Sequence, residues 1–279
     1  AQFDPAQMPG PLFAPSDLAH QAKLTAIDFQ SQAQDPSKLD INSPIVPRSP
    51  LNADWLDAQG GGARDAKTLQ AAYYAMIKLI DDQLGRLLDL LDATGQRDNT
   101  VIIFMSDHGE TLGDHGLIQK GCRFYEGLVR VPLICSWPGH FRTGLRSDAL
   151  VELTDIAPTL MDLAGQPVPE QMQGESLLPI LTGESTPHHH RDFVRCEYYN
   201  ALDHADHTYA TMYRDERYKL VVYHGHQLGE FYDLVADPDE FNDLWDNEAY
   251  QLIKLDLMQR SFDASMLAMD KGPRRIGPM

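Results

Sequence analysis

Cysteine is nearly absent: Cys122, Cys135 and Cys196 are the only three in 279 residues. An odd, scattered set excludes a disulfide framework, and no CxxC pair signals zinc or dithiol chemistry. The scarcity leans toward a reducing compartment, cytoplasmic rather than periplasmic, and otherwise leaves location open. No apolar run reaches the roughly eighteen residues that a membrane-crossing helix needs, so no membrane partner is expected. Positive charge is short: 23 Lys and Arg stand against 41 Asp and Glu, a net charge of −18. Such a surface repels nucleic acid, which is not expected as a partner. A small anionic substrate is still compatible, because a bound cation reverses the sign of a site locally. Internal repeats are missing, and no low-complexity tract is longer than His188-His189-His190. No leader segment is recognisable, and the chain opens at Ala1 rather than Met, so its true start is expected upstream.

What is there suffices for a core. Apolar residues make up 43% of the chain, and the length suits one large domain or one and a half. Residues 1–65 are dense in proline and close on Gly60-Gly61-Gly62, a texture of loop and short helix. Such a stretch is odd inside a compact domain and reads as an excursion over a body lying upstream. Between 66 and 93, Leu69, Tyr73, Met76, Ile80, Leu84, Leu87 and Leu91 recur at steps of three and four, which predicts a helix stopped at Gly95. Val101 to Met105 and Val131 to Trp137 read as strands buried on both faces, as in a parallel sheet. Asp155 to Ala164 reads as a second helix, with Thr154 or Asp155 as its cap and Gly165 after its end. Helix, strand, loop, strand, helix indicates an α/β layered sheet. After about residue 186, the short aromatic runs 209–213, 218–223 and 230–234 predict a small antiparallel sheet. A last helix over 248–267 carries Leu252, Ile253, Leu257 and Met258 on one side.

The chemistry concentrates in Ser106 to Gly121, SDHGETLGDHGLIQKG, directly after the strand 101–105. Ligands of open α/β sheets gather beyond the carboxyl ends of strands. Asp107 and His108 can meet one metal ion if the backbone turns sharply, and Gly109 permits that. Taken alone, the pair reads equally as a strand-end turn with a solvated Asp. Two His, three acids and one Lys among four Gly shift the balance, since such groups are costly near a core. Lys120 is a flexible cation suited to offsetting charge on a tetrahedral anion.

The stretches YYAMIKLIDDQLGRLLDLL, NTVIIFMSDHGETLGDHGLIQKG, YEGLVRVPLICSWPG and LTDIAPTLMDLAG, in that order, resemble the sulfatase family of the alkaline phosphatase superfamily. The closest likeness is to its branch of bacterial arylsulfatases, choline sulfatases and phosphonate monoester hydrolases. RYKLVVY and GEFYDLVADPDEFNDL are similar to that family's carboxy-terminal subdomain. The resemblance implies part of a mostly parallel sheet sandwiched by helices, followed by a small antiparallel sheet plus a terminal helix. Residues 1–185 would be the carboxy-terminal portion of the catalytic α/β domain, with 1–65 as its irregular excursion, and 186–279 the small subdomain. It implies that Asp107 and His108 ligate a divalent metal, calcium first and magnesium or manganese as alternatives. It implies that Lys120 contacts the sulfate group and that His115 supports the loop or touches the leaving oxygen. The activity implied is sulfuric ester hydrolysis, with attack on sulfur by a hydrated formylglycine made from a Cys or Ser in a C/S-x-P-x-R motif.

That motif is absent, as are the acidic ligands that open the family's catalytic domain. Both are expected upstream, in an amino-terminal half that this chain would need as its partner. The 279 residues alone are therefore expected to be inactive on small sulfate-ester substrates, and to expose the edge where the missing strands belong. The alternatives are a phosphonate or phosphate ester hydrolase on the same framework, and a non-catalytic fragment. A homo-oligomer is compatible with the sequence. Other candidates carry less weight. His207 is a candidate substrate contact, whereas His204, His224 and His226 read as solvated or structural and His188 to His190 as a solvated loop. Asp81 and Asp82 belong to a polar helix face, being adjacent and so divergent. Arg123 is open between an anion contact and an ion pair with Glu126.

Overall fold

The computed structural model describes residues 3–25, 27, 33–39, 65–200 and 208–269. Helix α1 (Ser16–Leu24) lies in the proline-rich excursion, between short 3-10 turns at Pro5–Gln7 and Pro36–Lys38. Helix α2 (Ala66–Ala93) follows the apolar periodicity, with the Asp65 carboxylate accepting from the Thr68 amide at 2.8 Å as its cap. Strand β1 (Ile102–Met105), the short helix α3 (Glu126–Val129), strand β2 (Leu133–Ser136) and helix α4 (Ile156–Leu163) come next. They keep the predicted order of helix, strand, strand, helix. A further short helix, α5 (Leu178–Thr182), leads toward the carboxy-terminal sheet.

One expectation needs correction. β1 and β2 pair antiparallel, Ile102 opposite Ser136 and Met105 opposite Leu133, not as neighbours in a parallel sheet. Nor are they buried on both faces: Met105 is 45% and Ile134 59% exposed. A continuous apolar run reports an apolar environment but carries no information on strand direction, and here the cover is missing among the described residues. The same holds for α2. It buries only Ala66, Gln70 and Ala71, near its start, while Met76, Ile77, Leu79, Ile80, Leu87 and Leu90 are exposed. A contiguous apolar face of this kind marks a surface that packs against another body.

The carboxy-terminal sheet is covered on both sides. Strands β3 (Val194–Tyr199), β4 (Tyr209–Arg214), β5 (Tyr218–Tyr223) and β6 (Leu228–Asp233) form an antiparallel meander in chain order. β3 is an addition to the three strands expected. Alternation sorts the side chains by face. Tyr213, Leu220 and Phe231, cross-strand neighbours, pack with Leu244, Leu257 and Ala264 beneath helix α6 (Gln251–Leu267). Of the stripe expected, Leu257 is buried and Ile253 packs against the same core, whereas Leu252 is 83% exposed and Met258 also faces solvent; Ser261 and Ala264 complete the buried side. The true inward spacing runs through a serine and an alanine, which hydrophobicity alone passes over.

The opposite face carries Met212, Val221 and Tyr223, packed with Leu24, Ile27, Cys122 and Phe124. The excursion therefore seats Leu24 and Ile27 on this chain's own sheet. Thr208 donates to the Ile27 carbonyl at 2.5 Å and Gln21 donates to the Tyr125 hydroxyl at 2.6 Å. Arg123 is buried there, donating to Gln21 Oε1 at 3.1 Å, so Glu126 is not its partner.

At the centre of this face lies the Glu230 carboxylate. It accepts from the hydroxyls of Tyr223 at 2.6 Å, Tyr232 at 2.8 Å and Tyr125 at 3.2 Å, and pairs with His20 Nε2 at 3.0 Å. Burial alone would raise its pKa. The hydrogen bond and charge of His20, the Arg123 charge and the Tyr223 hydroxyl outweigh that and hold it at about 2. Its ordinary value is 4.5. A depressed carboxyl contributes stability that is present above the ordinary value and lost as pH falls through the folded one. Chemical denaturation should therefore show stability declining from about pH 4.5 down to about 2. Glu230→Met should cost about 3–5 kcal/mol at neutral pH, because it strands the paired His20 and three buried hydroxyls. It should also flatten that acid limb.

Candidate active site

The turn that follows β1 is built by its own backbone. Ser106 Oγ donates to the His108 carbonyl at 2.8 Å, and the His108 amide donates to Asp107 Oδ1 at 3.0 Å. His108 Nδ1 lies 2.8 Å from the Gly109 carbonyl. A carbonyl only accepts, so Nδ1 carries a proton, and Nε2 is the nitrogen that faces Asp107. Nε2 sits 3.6 Å from Asp107 Oδ2, and both side chains reach solvent. The His108 amide bond first, then the charges of His108 and Lys120, hold the Asp107 carboxyl below its ordinary value. Glu110, half-buried beside them, is pushed up by burial, with the Thr111 amide and the Lys120 charge opposing. Lys120 is exposed, within electrostatic reach of both carboxylates.

A carboxylate oxygen and an imidazole nitrogen, side by side, are two donors of the kinds that could hold a divalent cation. The Gly109 carbonyl supplies the outer hydrogen bond that commonly fixes a ligating histidine. Among the described residues no third His, Cys, Asp or Glu joins them. The pair thus fits a metal as a partial set, short of the six to eight oxygens that calcium takes.

Gly109 fixes where the turn sits. Its amide donates to the Leu128 carbonyl of α3 at 2.8 Å, and a Cβ on it would lie 1.8 Å from the Gly127 carbonyl oxygen. The permissive turn read from the sequence is therefore also a close backbone crossing. Further along, the Asp114 carboxylate accepts from the Leu12 amide at 2.8 Å, and the His115 amide donates to the Leu12 carbonyl at 2.7 Å. The His115 ring is buried, stacked at 3.8 Å on Tyr125, with Nδ1 3.4 Å from Asp17 Oδ1. Of its two sequence readings, these surroundings favour support of the loop. His207 lies outside the described residues, as does His204. His224 is solvated beside Thr211. Asp81 and Asp82 sit on the polar face of α2 with Lys78.

His190 departs from the solvated reading, being tucked 3.6 Å from the buried Asp155, which also holds Arg191. Sequence reasoning passes over Lys219, which is fully buried on β5 and paired with Glu126 at 2.7 Å and Glu240 at 2.8 Å. Its place at alternate positions with Val221 and Tyr223 was the available signal.

Comparison with known proteins fits this geometry. The described architecture is that of the alkaline-phosphatase-like hydrolases: a phosphonate monoester hydrolase from Silicibacter pomeroyi superposes with a TM-score of 0.76 at 25% identity, over 97% of this chain and 53% of that one. The family follows from sequence. The Sulfatase model matches residues 20–166, and the model for N-sulphoglucosamine sulphohydrolase, C-terminal, matches 113–265. The chain belongs to the sulfatase family. An N-acetylglucosamine-6-O-sulfatase of Bacteroides thetaiotaomicron is 36% identical over 207 residues, 72% of this chain and 36% of that protein. An arylsulfatase of Clostridium perfringens is 35% identical over 188 residues, 66% of this chain and 37% of that protein. The chain thus spans little more than a third of the length of these curated relatives.

Gly109→Ala should destabilise the fold by about 1–3 kcal/mol by overpacking against α3. Gly95→Ala, with open space around the added methyl but a positive φ of 68°, tests whether conformation alone explains the loss. A denaturation midpoint that falls no further for Gly109→Ala than for Gly95→Ala would reject the steric account.

Proposed function

We propose that this chain is the metal- and sulfate-binding portion of a sulfuric ester hydrolase, with Asp107 and His108 as two ligands of a divalent cation, calcium by family resemblance. The observation that carries the reading is the facing pair of Asp107 Oδ2 and His108 Nε2 at the carboxyl end of β1, within reach of the Lys120 charge. When bound, the cation would orient the sulfate oxygens and lower the pKa of the attacking oxygen. Asp107, kept ionised by its own backbone turn, supplies negative charge to hold it. His108 would supply Nε2, its ring fixed through Nδ1. Lys120, long and solvated, offsets charge growing on the sulfate oxygens as the ester bond breaks. The nucleophile, a formylglycine in the family, belongs to the portion of the relatives that this chain does not span. The exposed apolar faces of α2, β1 and β2 are the surfaces on which that portion would pack.

The likeness of 97% of this chain to about half of a phosphonate monoester hydrolase, 53% of its length, favours phosphonate esters as a second reading. Side-by-side rates on aryl sulfate and phenylphosphonate esters separate the two.

In the enzyme completed by its upstream portion, Asp107→Asn should lower metal-dependent turnover of an aryl sulfate at least a hundredfold, the upper end for losing one support of a metal site. Lys120→Ala should reduce kcat by about a hundred- to a thousandfold, the scale for one lost oxyanion partner. Purified residues 1–279 alone should show no turnover. Activity from that piece, confirmed by intact mass, would contradict the assignment of the nucleophile to the missing portion.

A further inference from the structure

We propose that Lys219, with Glu126 and Glu240, is a positioning device for the Asp107–His108 turn, linking the carboxy-terminal sheet to the metal site. The proposal rests on the reading of those two residues as metal ligands.

The connection is continuous in space. Lys219 Nζ, fully buried on β5, donates to the Phe124 carbonyl at 2.8 Å and to Glu240 Oε1 at 2.8 Å, and pairs with Glu126 Oε1 at 2.7 Å. The two acceptors and the ion-pair partner converge on the entry to α3. The Glu126 amide, at the first position of that helix, donates to the other oxygen of Glu240 at 2.7 Å. Arg214 Nε lies 3.2 Å from the Glu126 carboxylate. Residues 124 and 126 are thus held to β5 and to the segment after β6 by directional, charged contacts. Two residues on, the Leu128 carbonyl accepts from the Gly109 amide at 2.8 Å, and Gly127 leaves no room for a side chain at Gly109. A shift of α3 therefore moves the turn that carries Asp107 and His108.

The chemistry of the contact distinguishes positioning from simple packing. Apolar side chains of similar size at 219, 126 and 240 together would fill the space under Phe124 about as stably, since a buried ion pair is often no better than its hydrophobic isostere, whereas removing Lys219 alone strands the buried Glu240. Such apolar side chains would not fix the direction of the Phe124 carbonyl or the Glu126 amide. Lys219 does so with one ammonium, two acceptors and the ion pair to Glu126. Charge at this spot specifies geometry, and metal ligands respond to geometry at sub-ångström scale.

The test uses the complete enzyme with an aryl sulfate. Lys219→Met should raise the calcium concentration for half-maximal turnover by about ten- to a hundredfold, the usual effect of losing support behind metal ligands. Turnover at saturating calcium should change far less, and calorimetric calcium binding should weaken in step. Arg217→Gln removes an ion pair with Asp233 at the β5–β6 end. It controls for general loss of stability, with a lower melting temperature and an unchanged calcium requirement. Should Lys219→Met fail to fold, Glu126→Gln, half-buried and isosteric, carries the same expectation. A folded Lys219→Met or Glu126→Gln with the parent's calcium requirement overturns the proposal. Asp107→Asn separates the two levels: if it too leaves the calcium requirement unchanged, the metal-site reading itself fails.

Discussion

Stripping water from the Glu230 carboxylate costs several kcal/mol before any partner is found. The donors that offset this come from three separate stretches of chain. His20 arrives on α1, Tyr125 precedes α3, and Tyr223 and Tyr232 stand on neighbouring strands. None of these alone suffices, so the carboxylate is stable only when the excursion, the loop after Lys120 and the sheet are all in place. Arg123 and Gln21 extend the same network. One buried charge thus makes the assembly of this face cooperative. The second, Lys219, binds the same loop further along.

The two faces of the sheet divide the work. Toward α6 the contacts are apolar and non-directional: Leu220 and Phe231 against Leu257 and Ala264. Such packing stabilises but tolerates substitution of similar volume. Toward the site loop the contacts are hydrogen bonds and ion pairs, which fix orientation. A precise turn at Asp107 needs the second kind beneath it. The strained or crowded backbone of the loop, with His115 at φ 53° and Gly109 against Gly127, persists only because surrounding contacts over-determine it.

This division also explains what could be read in the sequence. Periodicity reports the type of element, so α2, the short aromatic strands and the apolar run before Ser106 were legible even where their apolar faces are uncovered, and Asp107 and His108 stood out against that strand. Pairing direction is not encoded in a buried run, hence the antiparallel β1–β2 pair. Long-range polar partners leave no local trace. Nothing within the proline-rich stretch marks Asp17 for His115 or His20 for Glu230, and nothing near Arg123 excludes Glu126. His190 beside Asp155 is the same case. Lys219 and Glu230 were half-legible, as charges at alternate positions with buried Val221 and Phe231's neighbour Tyr232, but a charge on a strand reads first as solvated. On α6, Ser261 and Ala264 face inward where leucines at other phases draw the eye.

The uncovered side of the molecule bears on the same chemistry. Met105 and Asp107 are two residues apart at the end of β1, and both are open to solvent. Any body that covers Met105 and Ile134 therefore brings low-dielectric surface to the carboxylate as well. Water lost from that turn strengthens every charge interaction in it, including those of Lys120 with Asp107 and of a cation with both ligands. It also raises the cost of leaving the Asp107 charge unmatched. Packing of the apolar faces and tight cation binding are then mutually dependent. A loosely covered turn would hold a metal weakly because water competes, and a tightly covered one without metal would carry an unpaired carboxylate. Within the described residues Asp107 avoids that conflict by remaining solvated.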